Sequence, residues 1–453
     1  MSFVEAWLPR AAATNPARAA IETPGRTVTY QELAGLAGAA ARALVKRGVS
    51  PGDRVALAAE SNLNFVVSLH ACLWLGAVAV PVDGRLGAEE RAAREAAADH
   101  VLDLSPAGDD SGARTPLPAG HRADHPALVV HTSGTMGAGT PVALTHGNLA
   151  AAALGSAVAL GLDVAERWLC TLPLSHVGGL SILTRSVAYA TTVVLEPRVE
   201  PERAVAALAD GAVTVVSLVP TTLTRLLDAG LRHPPALRRA LIGGGPLSPT
   251  TRQAALEAGV PVVQTYGLTE ACSQVTTARD PEDPTAGPPL PLVRVRVEAG
   301  SDDPEDARRD GGIGRVGEIA VAGPTVAPGT AGPDGWLRTG DLGAVDDRGR
   351  LSVTGRVADT IVTGGENVAP AQVEAVLLGH PEVADAAVVG RPDAEWGERL
   401  VALVVPAGTE PPDAGALRAH LSQRLAPFQV PKAFEWTRQL PRTPSGKLRR
   451  TEL

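Results

Sequence analysis

"PALVVHTSGTMGAGTPVALTH" occupies residues 126 to 146. It opens with a short apolar run, ALVV, held between Pro126 and His131. A run of that length, rich in valine and bounded by turn-forming neighbours, predicts a buried strand. Between residues 131 and 139 two threonines, a serine and three glycines follow, so the chain leaves the strand into a polar, pliable loop. Such a loop can turn successive backbone N–H groups toward an anion. Thr132, Ser133 and Thr135 add hydroxyl donors, and Gly134, Gly137 and Gly139 permit close approach of backbone to ligand. Phosphate is the candidate anion; a tight surface loop is the competing reading. The Lys–Ser/Thr pair that ends a P-loop is absent.

Working outward, helix-like and strand-like segments alternate. "TYQELAGLAGAAARALVKRG" (29–48) predicts a helix stopped by Gly48, and "DRVALAA" (53–59) a short strand. "FVVSLHACLWLGAVAVPV" (65–82) approaches the length of a membrane span. Ser68 and His70 interrupt it, Gly76 divides it, and Pro81 closes a β-branched alternation. It reads as a buried helix running into a buried strand. "RWLCTLP" (167–173), "TTVVLE" (191–196) and "VTVVSLVP" (213–220) are further strands, with helical patterns at 148–160 and 221–229. This alternation favours an α/β fold with a largely parallel sheet.

The polar stretch "AGSDDPEDARRDGGIG" (299–314) reads as an exposed loop. "GEIAVAG" and "RLSVTG" beyond it look like strands of a smaller mixed region. After "GRVADTIVTGGENVAP" the pattern restarts. A helix with Pro370 near its first turn is followed by the strands "VADAAVVGRPD" and "RLVALVVP" and the helix "DAGALRAHLSQRLA". The expected architecture is a large N-terminal domain of layered helices and sheets, residues 1–356, and a small mobile α+β domain, residues 357–453.

A chain of 453 residues exceeds what one core usually serves. With 45% hydrophobic and 20% charged residues it suits a soluble globular protein. A net charge of -8 lends no support to a nucleic-acid partner. Cys72, Cys170 and Cys272 lie far apart and lack metal-ligand spacing, so they read as reduced, buried thiols. The start "MSFVEAWLPRAAATNP" carries no secretory signal pattern. A cytoplasmic protein without a membrane span is expected, and a homo-oligomer is left open.

The loop after Val130 has company. "YGLTE" (266–270), "TGD" (339–341), "GR" (355–356), "GGENV" (364–368) and "PRTPSGKLRR" (441–450) follow it in order. Together they resemble the signatures of the adenylate-forming family, which includes acyl-CoA ligases, luciferases and peptide-synthetase adenylation domains. The resemblance covers nearly the whole chain. One departure stands out: the family loop usually carries lysine near Thr140 and glycine near Pro141. The resemblance implies a two-step reaction using ATP, Mg²⁺ and coenzyme A. A carboxylate, already ionised near pH 7, attacks the α-phosphorus, and a thiol then takes the acyl group from AMP. Charge on the phosphoryl oxygens requires donors and cations.

Residue by residue, the resemblance makes Lys447 the lysine of adenylation; alone it reads as a solvated tail residue. Thr269 becomes an α-phosphate contact and Glu270 a magnesium ligand, where sequence alone makes them the cap and first turn of a helix. Tyr266 and Gly267 are expected against adenine, with Gly243, Gly244 and Gly245 bringing backbone close. Asp341 is expected to accept from the ribose hydroxyls, and Arg356 to reach the ribose or a phosphate. Gly364 and Gly365 are expected to line a pantetheine tunnel. His176 is expected at the carboxylate entrance, with a satisfied, partly buried histidine as the alternative.

"CTLPLSHVGGLSIL" (170–183), "VSLVPTTLTRLL" (216–227 within its strand–helix unit) and "LIGGGPL" (241–247) resemble one branch, the o-succinylbenzoate–CoA ligases of menaquinone synthesis. That substrate is an aromatic keto-diacid whose second carboxylate needs donors or a cation if buried. Ser181, Thr222 and Arg225 are the candidates for that task. Other acyl- or aryl-CoA ligases, a freestanding carrier-protein adenylation enzyme and a noncatalytic nucleotide-binding protein are the alternatives.

Overall fold

The computed structural model describes residues 2–102, 115–132, 139–197, 200–298, 314–442 and 448–453. The expected strand after Pro126 spans Pro126–His131 and belongs to a five-stranded sheet. Across that sheet run His100–Leu102, Arg54–Ala58, Val78–Val82, Pro126–His131 and Pro141–Thr145. All are parallel except the last, which returns antiparallel with Pro141 opposite His131. Every residue of Val78–Val82 is buried, as a parallel strand covered on both faces requires.

The apolar stretch at 65–82 divides as expected. Its helix, Leu63–Leu75, starts where the Asn62 side chain accepts the Phe65 N–H at 2.9 Å. It ends at Gly76, whose φ of 84° lies in the left-handed region that glycine enters without strain. Among the described residues no helix is long and apolar enough to cross a membrane.

The second sheet has eight strands in the order Ser273–Thr277, Val262–Leu268, Arg239–Ile242, Val215–Leu218, Arg167–Cys170, Thr192–Leu195, Ala19–Thr23 and Arg26–Thr29. The six inner strands are parallel and the two outer ones antiparallel to their neighbours. One apolar core joins the two sheets through the helices Tyr30–Lys46 and Leu63–Leu75, with Leu33, Phe65, Leu69, Leu128 and Trp168 inside it. The predicted helix at 29–48 begins one residue late, because Thr29 is its cap. The Thr29 side chain accepts from the Glu32 amide while Glu32 accepts from the Thr29 amide.

The smaller mixed region is a four-stranded antiparallel sheet of Arg294–Glu298, Gly317–Ala322, Leu337–Val345 and Leu351–Arg356. Its core includes Ile319, Leu337 and Leu351 together with Tyr266, Ala271 and Val275, so it closes over one end of the eight-stranded sheet. The loop predicted at 299–314 lies outside the described residues except for Gly314. The last sheet, built from Ile361–Thr363, Glu366–Val368, Val383–Asp393, Gly397–Pro406 and Ala433–Trp436, has a core of its own with the helices Pro370–Leu377 and Ala414–Ser422. Pro370 takes the first helical position, where its missing N–H costs nothing.

Candidate active site

The parallel strands of both large sheets deliver polar loops at their C-terminal ends. Beyond Pro126–His131 the Thr132 N–H donates to Thr140 O at 3.0 Å, so the loop's two ends are tied. Ser133, Gly134, Thr135 and Gly137 lie outside the described residues. A Cβ on Gly139 would sit 1.6 Å from the Thr132 carbonyl oxygen. The close approach expected there toward a ligand is therefore made to the loop's own backbone.

Three motif residues converge from separate segments. Asp341, on the strand Leu337–Val345, lies opposite Arg356 in the antiparallel register. Arg356 Nε sits 2.8 Å from Asp341 Oδ1, and the Tyr266 hydroxyl donates to Oδ2 at 2.8 Å. Asp341 is buried, and each of its oxygens already has one donor. A carboxylate has about four acceptor positions, so capacity remains for two further hydroxyls. The Tyr266 ring packs with Ala271 and Val275. Burial, then the adjacent Asp341 charge, raise the phenol pKa well above its ordinary value, so Tyr266 is a neutral donor.

Thr269 and Glu270 are not the cap and first turn of an α-helix. Leu268 precedes a single 3₁₀ turn, Thr269–Ala271, that closes a hairpin between Val262–Leu268 and Ser273–Thr277. Cys272 and Ser273 follow at φ 56° and 90°, a region that non-glycine residues enter only under constraint. The reason is local crowding. A Cβ on Gly267 would lie 1.8 Å from Ser273 O, so Gly267 serves this reversal of the chain. The Glu270 backbone oxygen accepts from Ala327 N–H at 2.8 Å, and its half-buried side chain has no ion pair among the described residues. Burial pushes the Cys272 thiol up to about 12, which leaves it inert.

Against the strand Ser273–Thr277 packs the helix Val177–Tyr189. His176 is its N-cap residue, half-buried, and its side chain does not cap the helix. Ser181 donates to Gly178 O at 2.8 Å and lies 3.4 Å, hydroxyl to hydroxyl, from Ser273. One turn on stands Arg185, absent from the sequence-based candidates. It is 2% exposed, and its Nη1 donates to the Gln274 side chain. Its Nη2 has no partner among the described residues, and burial lowers the guanidinium pKa. A buried cation without a carboxylate is costly in an apolar setting, so this group is suited to an incoming anion. The only signal in sequence was a lone arginine inside an apolar helix, one turn from Ser181.

The expected cation, Arg225, is exposed on the helix Pro220–Asp228, whose buried residues are Leu223, Leu226 and Leu227. The periodicity explains the exposure: Arg225 falls between the apolar positions. Thr222 on the same helix is half-buried. Gly243 donates its N–H to Leu218 O at 3.1 Å, and Gly244 has φ 77°, at the exposed end of the strand Arg239–Ile242 with Gly245. Gly364 and Gly365 form the two-residue turn of the hairpin Ile361–Thr363 and Glu366–Val368, at φ 58° and 84°. A Cβ on Gly364 would also meet Trp396 at 2.8 Å, so packing as well as turn geometry requires glycine.

Lys447 lies outside the described residues, but both flanks are tied. Arg442 pairs across to Leu448, and Arg449 N–H donates to Pro441 O at 2.9 Å. Arg450 reaches Glu374 with Nη2 at 2.8 Å and Asp359 with Nε at 3.0 Å. Among the described residues no three His, Cys, Asp or Glu side chains gather as a closed metal cage. Glu270 as a single protein ligand fits Mg²⁺, which is commonly held by one or two carboxylates plus substrate phosphates.

A model of the AMP-binding enzyme family matches residues 8–102 and 91–330, and one of the AMP-binding enzyme C-terminal domain matches 372–447. The 2-succinylbenzoate–CoA ligase of Bacillus licheniformis is 36% identical over an alignment 481 positions long, covering 99% of this chain and 98% of the relative. That of Geobacillus kaustophilus is 37% identical over 488, covering 100% and 98%. The Bacillus subtilis o-succinylbenzoate CoA synthetase (MenE), solved in complex with the acyl-adenylate intermediate OSB-AMP, matches with a TM-score of 0.89 at 34% identity, over 100% of this chain and 98% of that one. Its complex with ATP and magnesium ion gives 0.89 at 34% identity, over 100% of each chain. ATP-bound MatB from Rhodopseudomonas palustris gives 0.87 at 29% identity, over 99% and 98%.

Proposed function

The chain belongs to the AMP-binding enzyme family, and on that premise we propose that it joins o-succinylbenzoate to coenzyme A. The acid's carboxylate oxygen attacks the α-phosphorus of ATP, and the bond to pyrophosphate breaks. The coenzyme A sulfur then attacks the acyl carbon of the acyl-adenylate, and the bond to AMP breaks. The thiol proton passes to solvent.

The observation that carries the choice of acid is Arg185, buried with an unpartnered nitrogen beside Ser181, Ser273 and Gln274. A mono-acid leaves that guanidinium uncompensated; a diacid brings the matching charge for its second carboxylate.

The remaining roles rest on the motif residues, supported for Asp341 by the donors around it. Asp341, steadied by Tyr266 and Arg356, accepts from the ribose hydroxyls. Thr269 contacts the α-phosphate, and Glu270 holds Mg²⁺. When bound, the metal neutralises phosphate charge and orients pyrophosphate as leaving group. Lys447, as a compact ammonium, bridges the carboxylate and the α-phosphate during the first step. We set the domain boundary after residue 356. Arg356 is tied to Asp341 in the larger unit and Asp359 to Arg450 in the smaller one, which leaves Val357 and Ala358 as the pivot. Rotation there withdraws Lys447 and admits the thiol. The three cysteines, all unpaired and buried, support a reducing, cytoplasmic setting.

The test supplies purified protein with ATP, Mg²⁺, coenzyme A and a panel of carboxylic acids, with AMP and intact thioester followed by mass spectrometry. o-Succinylbenzoate should have the highest kcat/KM. The same acid lacking its second carboxylate should fall by at least about tenfold, the scale of one charge-assisted contact. Equal use of the two acids would overturn the assignment of Arg185, and far better use of an unrelated acid would overturn the substrate.

A further inference from the structure

Among the described residues the Arg185 guanidinium has one hydrogen-bond partner, the side-chain oxygen of Gln274, and that partner carries no charge. Gln274 lies on the strand Ser273–Thr277 and is buried. A guanidinium offers only donors, so the amide can face it only with its oxygen. The other end of the amide is fixed by hydroxyls of the sheet. Gln274 Nε2 donates to Thr277 Oγ1 at 2.9 Å, and the Thr277 hydroxyl donates to Thr276 O at 2.8 Å, so Thr277 turns a lone pair toward the amide. Thr265, on the neighbouring strand Val262–Leu268, sets its hydroxyl 3.0 Å from that of Thr277 and donates to Thr276 O at 2.7 Å.

The arrangement satisfies the geometry of one guanidinium nitrogen and leaves the charge unmatched. Tyr189 and Cys272 are the ionisable groups whose charge would reach Arg185. Both are held neutral by burial, which pushes each pKa up to about 12. Elsewhere the chain treats its arginines differently: Arg238 pairs with the buried Glu166, and Arg450 with the buried Glu374. Glutamate and glutamine have the same shape. At position 274 the chain carries the amide, so the buried cation keeps a place for an outside anion.

We propose that Gln274 is a specificity-determining residue for the acid: it positions Arg185 with a neutral acceptor and so leaves the guanidinium charge to be matched by the second carboxylate of the substrate. The proposal rests on the reading of Arg185 as the group that receives that carboxylate. A glutamate at 274 would pair with Arg185 and remove the need for a second negative charge. With the diacid bound it would also set two carboxylates on one guanidinium, and like charges that close repel.

Gln274→Glu, Gln274→Leu and Arg185→Met test it, in adenylation assays that compare o-succinylbenzoate with the same acid lacking its second carboxylate, and with ATP varied separately. In Gln274→Glu, kcat/KM for o-succinylbenzoate should fall about a hundredfold while that for the mono-acid holds or rises, so the preference for the diacid disappears or reverses. KM for ATP should stay within about twofold. Gln274→Leu removes the acceptor and adds no charge. It should lower kcat/KM for the diacid by no more than about fivefold, the scale of one ordinary hydrogen bond, and the preference should persist. A Gln274→Glu enzyme that still prefers the diacid would overturn the proposal. An equal loss of preference in both Gln274 variants would do the same, since the amide's tie and not its neutrality would then be the determinant. A matching rise in KM for ATP would mark a general loosening of the fold and also count against it. If Arg185→Met abolishes the preference while Gln274→Glu retains it, the role of Gln274 alone falls. If Arg185→Met leaves the preference intact, the reading of Arg185 falls first and that of Gln274 with it.

Discussion

Asp341 is poised by two donors of different kinds, a neutral phenol on one oxygen and a guanidinium on the other. Removing the phenol leaves the charge but frees the carboxylate to turn. Tyr266→Phe should therefore raise KM for ATP by about tenfold, the scale of one hydrogen bond to a charged acceptor. The ratio of kcat/KM for ATP over 2′-deoxy-ATP should narrow as well, since the proposed role of Asp341 is to accept from the ribose hydroxyls. An unchanged ratio would separate Tyr266 from ribose recognition. Arg185 makes the opposite kind of prediction. Arg185→Met removes a buried charge with an unpartnered nitrogen, so the melting temperature should hold or rise while use of o-succinylbenzoate falls by about a hundredfold or more. A melting temperature several degrees lower would mean that the guanidinium is a structural group. Asp341 and Arg356 could be singled out in the sequence because each sits in a short motif of the family it resembles. Arg185 was not, because its meaning comes from Gln274 and Ser273, which lie on a hairpin remote in sequence.

Helices and strands mostly formed where local pattern placed them. Thr29, Asn62 and Asp413 each cap a helix through a side-chain acceptor, a device that needs only the next three residues. The turn at Thr269–Ala271 escaped this logic. Its hydroxyl and carboxylate look like a helix start, but the chain must reverse into the antiparallel strand Ser273–Thr277, and sheet pairing overrides the local preference. The buried helix Leu63–Leu75 carries a pH dependence. Burial lowers the His70 imidazole pKa to about 4. His146, starting the helix His146–Leu160 and stacked on His121 at 4.4 Å, falls to about 3 through burial first and then the charges of His121 and His125. Unfolded, these rings would take up protons near pH 6.5, so their contribution is complete above that value and is lost as the pH falls toward 4. Each ring should cost on the order of 1 kcal/mol per pH unit in that window. Urea denaturation at pH 7.5 and at pH 5.0 measures it, and coincident midpoints would contradict neutral, buried histidines.

The whole molecule supplies the division of labour between two halves of a reaction. Lys447→Ala should depress acyl-adenylate formation by at least about a thousandfold, in the range of a lost electrostatic clamp on the transition state. Thiolysis of supplied acyl-adenylate should change far less, since the role proposed for the ammonium belongs to the first step alone. Equal losses in the two half-reactions would end that assignment. From the sequence alone came the class of fold and the two-part layout, because these need only local patterns, and the chemistry came through the resemblance of short motifs to a known family: a hydroxyl and glycine loop after a strand, an acid after a threonine, a lysine in a polar tail. Tertiary structure decided which donors hold Asp341 and which buried cation stands beside Ser181 and Gln274. Tyr266 and Asp341 are 75 residues apart, and Arg185 and Gln274 89. Contacts over such distances depend on strand order and register across whole sheets, and no local pattern encodes them.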